Sequence, residues 1–213
     1  MTIVVGLTGQ TGAGKTTVSD SLAQNTITVI NADDVSKIVM DTNKSCLGDI
    51  VVAFGCQIID RNGQLKRKVL ADIVFHDAEK LELLNRTVYP YIVEKIKDML
   101  DEYKAANTPL VILDAPTLYE AGCDKYCDYV IAIIAPEEMR LKRIQERDNI
   151  SEEHAKARIA SQHNDEFFIQ HADYVIENTG DKLSLISSFN EVMRSILLSV
   201  REKYENKRAQ NDN

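Results

Sequence analysis

The sequence is poor in several kinds of residue, and each scarcity narrows the classes of protein it can belong to. It has no tryptophan, four prolines and nine glycines in 213 residues, and no low-complexity tract. Basic residues are also the minority, because 25 Lys and Arg stand against 33 Asp and Glu, for a net charge of -8. A broad surface for nucleic acid or for an anionic membrane is therefore not expected, and we expect small-molecule partners.

Cysteines and long apolar runs are scarce too. The four cysteines form no C-x-x-C pair and have no histidines at zinc-like spacing, so we interpret them as reduced thiols rather than a metal site. The N-terminal "MTIVVGLTG" lacks the features of a signal peptide, and no apolar stretch approaches the roughly 20 residues of a membrane span. We expect a cytoplasmic protein without a membrane partner, and we favour a monomer.

Apolar segments of strand length alternate with helical patterns along the chain. The strands are predicted at 2–8, 26–33, 109–116, 128–136 and 172–180, and the helices at 15–24, 77–106, 136–161 and 181–204. Near-continuous apolar strands between helices are typical of a parallel sheet covered on both faces. The fold class predicted is therefore α/β, with three α/β/α layers around a five-stranded parallel sheet.

Two connections are too long to be plain crossovers. We interpret residues 34–108 as an inserted helical subdomain and residues 137–171 as a helical pair rich in charge that could close as a lid. The core then comprises 1–33, 109–136 and 172–204, and the whole chain is a single domain.

The segment "GLTGQTGAGKTT" (6–17) contains the pattern G-x-x-x-x-G-K-[ST], placed after a strand and at the start of a helix. Such a loop points backbone N–H groups at phosphate oxygens, and this predicts the P-loop NTPase fold. A dinucleotide fingerprint is disfavoured, because Thr17 stands where its third glycine should be. The predicted ATP-binding residues of the loop are Gly9, Thr11, Gly12, Ala13, Gly14, Lys15, Thr16 and Thr17.

Two aspartates stand at the carboxyl ends of predicted strands, where open α/β sheets bind ligands. Asp33 could accept a proton from an attacking hydroxyl, and we assign it, with Lys15, to catalysis. Asp114 resembles a Walker B aspartate, which predicts Mg²⁺ bound by the Thr16 hydroxyl and, through water, by Asp114. The alternative for each aspartate is a helix cap or a turn residue.

Three arginines follow one another along one face of a predicted lid helix. Arg140, Arg143 and Arg147 suit an anion, and we assign Arg140 to catalysis and the other two to ATP binding. The alternative is a solvated face on which Glu137 and Glu146 offset the positive charge. A second basic cluster, "RNGQLKRK" (61–68), is either a contact for an anionic substrate tail or plain surface.

Taken in order, these segments resemble the dephospho-coenzyme A kinase family from about residue 2 to residue 195. The resemblance rests on "VGLTGQTGAGKTTVS", "VINAD", "LDAPTLYEAG", "RLKRIQERD", "SEEHAKARIASQ" and "ADYVIENTG". It implies transfer of the ATP γ-phosphate to the ribose 3′-hydroxyl of dephospho-CoA, giving coenzyme A and ADP in the last step of coenzyme A synthesis. It also implies that the insert at 34–108 binds the coenzyme A substrate, that Asp33 is the base and that Asn178 and Gly180 lie near the adenine of ATP.

The chain departs from the family pattern at three places. Asn31 replaces the first aspartate of "D-A-D", Tyr89 replaces a histidine before Pro90, and "HNDEFF" (163–168) is acidic and aromatic where the family is often basic. Two other functions stay open on the residues alone. One is a different nucleotide or nucleoside kinase on the same fold, and the other is a nucleotide-dependent switch. A guanine-reading N-K-x-D is not found, since "NKSC" (43–46) ends in cysteine.

Overall fold

The computed structural model describes residues 2–24, 27–74 and 77–211. The parts of the predicted segments that fall on the other positions, including the start of the second predicted strand at Thr26, lie outside the described residues.

Five parallel strands form one sheet in the order β2-β3-β1-β4-β5. This confirms the five-stranded parallel sheet predicted from the apolar segments. All neighbouring strands pair in parallel, so their carboxyl ends meet at one edge. The strands are β1 (Ile3–Gly9), β2 (Thr28–Asn31), β3 (Leu110–Asp114), β4 (Tyr129–Ile134) and β5 (Tyr174–Glu177).

Nine α-helices lie within the described ranges. Those of the core and insert are α1 (Lys15–Gln24), α2 (Ala32–Thr42), α3 (Lys44–Phe54), α4 (Arg67–Val74) and α5 (Ala78–Ala105). Those that follow β4 are α6 (Glu137–Asp148), α7 (Glu152–Ala160), α8 (Asp165–His171) and α9 (Lys182–Asn211). Short 3₁₀ turns occupy Cys56–Ile58 and Asp124–Tyr126.

The segment 136–161, for which helix was predicted, is broken into α6 and α7. Asn149 ends α6 in the left-handed conformation (φ 51°), and Ser151 caps α7 by accepting a hydrogen bond from the His154 N–H. Both are ordinary chain-breaking devices of helix ends. The lid region therefore contains three helices, not a pair, because α8 follows α7 within the predicted range.

Alternate side chains of the sheet enter two separate cores. Val4 packs with the helices of the insert, including Ile50 of α3 and Ile96 of α5. Val5 packs on the opposite face with Val18 of α1 and, in α9, with buried apolar residues such as Phe189. Since successive strand residues point to opposite faces, this places the sheet between two helical layers.

The last helix, α9, differs from the sequence predictions in its apolar length and in its end. By length and composition alone, Lys182–Lys203 is long and apolar enough to cross a membrane, with a mean hydropathy of 1.2. Of this stretch 22% is buried, and Leu185, Phe189, Met193 and Ile196 pack in the core on one face of the sheet. α9 also runs to Asn211, beyond the predicted end at 204.

Candidate active site

A cavity of about 370 Å³ opens at the carboxyl ends of the strands. The parallel register aligns the last residues of β2 and β3, because Asn31 lies opposite Asp114, and the glycine-rich loop leaves β1 beside them. The lining residues come from the loop, the start of α2, the turn after β3 and the lid. They are Gly9, Gln10, Thr11, Gly12, Gly14, Lys15, Thr16, Thr17, Asp33, Pro116, Arg143, Arg147 and Gln162.

Two side chains from later parts of the chain hold carbonyl groups of the loop. Arg143 Nη1 donates to the Gly12 carbonyl at 3.2 Å, and Asn178 Nδ2 donates to the Ala13 carbonyl at 2.7 Å. Because a peptide N–H points opposite to its carbonyl, fixing the Ala13 carbonyl outward turns the Gly14 N–H inward. Among the described residues, the N–H groups of Gly14, Lys15 and Thr16 have no acceptor. Free N–H groups at a helix N-terminus form an anion site.

Only glycine fits at several positions of this loop, of which Gly12 and Gly14 face the residues that support it. Gly14 has a φ of 110°, and a Cβ there would lie 2.6 Å from Asn178 Nδ2. Gly12 has a φ of 77°, and its Cβ would lie 2.9 Å from the Arg140 carbonyl oxygen. A side chain at either place would be strained by the backbone conformation and would push a supporting residue away.

Lys15 is paired with the buried end of β3. Its Nζ lies 2.5 Å from Asp114 Oδ1, and Asp114 is only 2% exposed. The other carboxylate oxygen accepts from Ser19 Oγ at 2.7 Å and from Asn31 Nδ2 at 3.4 Å. Three donors therefore offset the cost of burying this carboxylate, while Lys15 stays at the cavity wall.

The oxygen donors here fit Mg²⁺, which prefers one or two protein oxygens together with water and phosphate. Thr16 is exposed and lines the cavity, and Asp114 lies behind Lys15. Outside this phosphate-binding arrangement, no group of three or more His, Cys, Asp or Glu residues that could hold a metal occurs in the described ranges.

Asp33 is presented to the cavity by the first turn of α2. Asn31 caps this helix, since its Oδ1 accepts from the Asp34 N–H at 3.1 Å. Asp33 is exposed and lines the cavity, and its side chain forms no hydrogen bond or ion pair with any residue that the structure describes. The neighbouring Asp34 instead pairs with Lys37 at 2.8 Å.

The three lid arginines have different surroundings. Arg143 and Arg147 line the cavity, and Asp148 holds Arg147 in a bidentate pair with two distances of 2.8 Å, which raises the pKa of the guanidinium. Arg140 is not in the cavity lining, so the catalytic assignment given to it from the sequence is not supported by its position. Its α6 turn packs on Gly12, which directs the side chain into the protein.

Arg140 is instead a buried residue, 5% exposed, whose Nε donates to the Ala135 carbonyl at 2.9 Å. Burial lowers the pKa of its guanidinium, and its Nη1 has no hydrogen-bond partner among the residues described. It borders a second cavity of about 460 Å³, on the lid side of Gln162.

Three other predicted ATP-binding residues also lie outside the cavity lining. The Ala13 methyl is buried in the core, and its N–H donates to the Gln10 carbonyl at 3.1 Å. Asn178 is 6% exposed and supports the loop through the Ala13 carbonyl, which is a different task from contacting adenine. Gly180 follows β5 and does not reach this cavity.

Sequence reasoning missed the residues that hold the loop through long-range contacts. Gln162 Oε1 accepts a hydrogen bond from the Thr11 N–H at 2.8 Å, and Gln10 Nε2 donates to Asp165 Oδ1 at 2.6 Å. These partners are more than 150 positions apart in the chain, and no local pattern marks them. Gln162 is the last residue of "SEEHAKARIASQ", and its place in this family-like segment is the one feature of the sequence that points to it.

The other singled-out positions lie away from this cavity. Burial raises the pKa of the Tyr89 phenol. In the basic cluster at 61–68, Arg67 pairs with Asp41 at 2.9 Å and donates to the Lys37 carbonyl. Arg67 therefore joins α4 to α2 within the insert, so this residue of the basic cluster has a structural role.

Comparison with known proteins agrees with this geometry. The family model described as Dephospho-CoA kinase matches residues 3–183. The chain belongs to the dephospho-CoA kinase family. A relative from Fusobacterium nucleatum named dephospho-CoA kinase is 37% identical over 194 residues, covering 91% of this chain and 98% of the relative.

Solved structures support the same assignment at the level of the fold. A dephospho-CoA kinase from Campylobacter jejuni superposes with a TM-score of 0.69 at 28% identity, covering 92% of this chain and 98% of that one. A shikimate kinase from Acinetobacter baumannii, solved with shikimate, has a TM-score of 0.53 at 17% identity, covering 93% and 95% of the two chains. The latter likeness concerns the fold alone.

Proposed function

We propose that this member of the dephospho-CoA kinase family transfers the γ-phosphoryl group of ATP to the ribose 3′-hydroxyl of dephospho-CoA, giving coenzyme A and ADP. One observation carries the chemical part of the proposal. A phosphate loop with inward N–H groups and an exposed carboxylate with no protein partner, Asp33, line the same cavity. The cavity therefore combines a binding site for the phosphates of ATP with a proton acceptor for a second substrate.

On the donor side, phosphoryl transfer needs positioning and charge neutralisation more than covalent chemistry. The free N–H groups of Gly14, Lys15 and Thr16 bind phosphate oxygens, and Thr17 adds its hydroxyl. Lys15 exchanges part of its interaction with Asp114 for the outer phosphates. When bound with ATP, Mg²⁺ would be held by Thr16 and, through water, by Asp114, and would neutralise phosphate charge.

On the acceptor side, Asp33 orients the 3′-hydroxyl and takes its proton as the new P–O bond forms. Arg143 and Arg147 stabilise the charge on the transferring group from the lid. The insert helices α2 to α5 bind the remainder of dephospho-CoA. The positions of Asp33, Arg143 and Arg147 in the cavity lining support their roles, whereas the role of the insert rests on membership of the family, and Arg140 receives no such role.

The test is an acceptor comparison with the wild-type protein. ADP release is measured with Mg²⁺-ATP and, in separate reactions, dephospho-CoA, AMP, CMP, nucleosides or no acceptor. We expect turnover with dephospho-CoA alone. Faster turnover with another nucleotide would assign the chain to a different kinase activity, and equal ADP release without any acceptor would favour a nucleotide-dependent switch.

We also propose that the reaction takes place in the cytoplasm and that the protein works as a monomer without nucleic acid or membrane partners. Sedimentation of the purified protein and fractionation of cells are the direct measurements. A stable dimer or recovery in the membrane fraction would overturn this part of the proposal and leave the reaction itself unaffected.

A further inference from the structure

The tip of the phosphate loop is attached to the connection between α7 and α8. We call residues 162–165 the clasp segment. The Thr11 N–H donates to Gln162 Oε1 at 2.8 Å, and Gln10 Nε2 donates to Asp165 Oδ1 at 2.6 Å and to the His163 carbonyl at 3.4 Å. Two successive loop residues therefore contact three members of the clasp segment, and Gln10 is only 2% exposed.

The clasp segment is itself well anchored. Ile159, one turn before it, belongs to the apolar cluster between α6 and α7. Asn164 caps α8 by accepting from the Phe167 N–H at 3.0 Å, and the His163 ring stacks on Phe167 with centroids 3.6 Å apart and planes 10° apart. A segment fixed at both ends holds the side chain of Gln162 in a defined place relative to the loop.

The two ends of the Gln162 carboxamide have different surroundings. Its oxygen is used by Thr11, whereas its nitrogen has no hydrogen-bond partner in the described part of the chain. Gln162 also lines the same cavity as Lys15 and Arg143. The unpaired amide nitrogen of Gln162 therefore offers donor hydrogens to a ligand in the cavity.

We propose that Gln162 is a phosphate-positioning residue of the donor site. Its oxygen fixes the tip of the phosphate loop, and its amide nitrogen donates to the terminal phosphate of the bound triphosphate. The inference rests on the proposed function only in taking a nucleoside triphosphate as the ligand, because the acceptor has no part in it.

The Gln162→Glu variant separates this role from a purely structural clasp. A carboxylate accepts from the Thr11 N–H at least as well as an amide oxygen, so the attachment of the loop is kept. The donor is lost, however, and a negative charge faces the triphosphate. A clasp that lies away from the terminal phosphate would tolerate this change, while a side chain that contacts that phosphate would not.

The experiment measures binding of Mg²⁺ with a non-hydrolysable ATP analogue, and of ADP, by calorimetry without any acceptor. We expect Gln162→Glu to weaken binding of the analogue about 10- to 100-fold, the range for lost hydrogen bonds to charged groups, and to change ADP binding by less than about threefold. Gln162→Ala should weaken the analogue as well. The matched control is Gln170→Glu, which adds the same charge on an exposed position of α8 and should change neither constant.

Two results would overturn the proposal. If the Gln162→Glu variant binds the analogue as tightly as the wild type, Gln162 only supports the loop. If binding of the analogue and of ADP is weakened equally, the substitution has distorted the loop. Neither result depends on dephospho-CoA, so the acceptor comparison on the wild-type protein tests the proposed function separately.

Discussion

Asp114 and Asp33 follow neighbouring parallel strands at the same edge of the sheet, yet their environments are opposite. Asp114 is buried and contacts Lys15, Ser19 and Asn31. Asp33 is exposed, lines the cavity and has no side-chain hydrogen bond or ion pair within the described ranges. A carboxylate with three protein donors is held in place by the fold, whereas a free carboxylate beside a phosphate-binding loop is available to a substrate. The predictions that follow test this contrast.

The largest effect is expected at the free carboxylate. Asp33→Asn removes the proton acceptor, and loss of a general base lowers turnover by about 10²- to 10⁴-fold. Because the side chain has no protein partner, the free energy of unfolding and the affinity for ATP should hardly change. Steady-state kinetics, chemical denaturation and calorimetry check these three quantities, and near-normal turnover would remove the assignment of Asp33 as the base.

In contrast to Asp33→Asn, the Asp114→Asn substitution should clearly lower the stability of the protein. The substitution takes the charge from a buried group that three donors contact, and it leaves Lys15 without its ion pair. We expect the free energy of unfolding to fall by about 1–3 kcal/mol. Urea denaturation without nucleotide is the measurement. A variant as stable as the wild type would show that the Asp114 contacts contribute nothing net to folding.

The lid arginines provide a second pair for comparison. Arg143→Gln removes a cation that lines the cavity and contacts the Gly12 carbonyl, so kcat/KM for ATP should fall about 10-fold or more. Arg140→Gln alters a residue outside the cavity, and the same constant should stay within about threefold. An equal loss of kcat/KM in the two variants would support the catalytic assignment of Arg140.

The smallest effect is expected at Asn31, which joins the two aspartates. Asn31→Asp keeps an equally good cap for α2 but replaces the amide donor to Asp114 by a like charge. We expect a loss of about 1 kcal/mol in the free energy of unfolding without ligand. Since Mg²⁺ beside these carboxylates would offset the repulsion, thermal melts with and without Mg²⁺-ATP should show the deficit shrinking on addition. A deficit that Mg²⁺-ATP does not alter would contradict this explanation.

The sequence predicted the sheet, the phosphate loop and Asp33 because each depends on local information. Buried strands are apolar over their whole length. The loop requires glycine at positions such as Gly12 and Gly14, where φ is positive. The supports of the loop could not be predicted in this way. Gln162 and Asn178 reach it from 151 and 165 positions away, and only the folded chain brings them there.

The catalytic assignment of Arg140 stays a prediction, and its burial could not be predicted from the sequence for a related reason. Helical spacing places Arg140, Arg143 and Arg147 on adjoining positions of α6, but it does not say how deeply each one is buried. The contact between α6 and Gly12 decides that, and it turns Arg140 away from the cavity. The assignments of Asn178 and Gly180 to adenine stay predictions, and the observed contact of Asn178 is with the loop backbone.

The measurement that tests the central claim most directly is a single reaction of wild-type protein with Mg²⁺-ATP and dephospho-CoA, in which coenzyme A and ADP are quantified together by mass spectrometry. A kinase with Asp33 as its base should form one coenzyme A for each ADP, with the new phosphate on the ribose 3′-oxygen, and the Asp33→Asn protein should form almost none in the same time. ADP that accumulates without coenzyme A in the wild-type reaction would contradict the account.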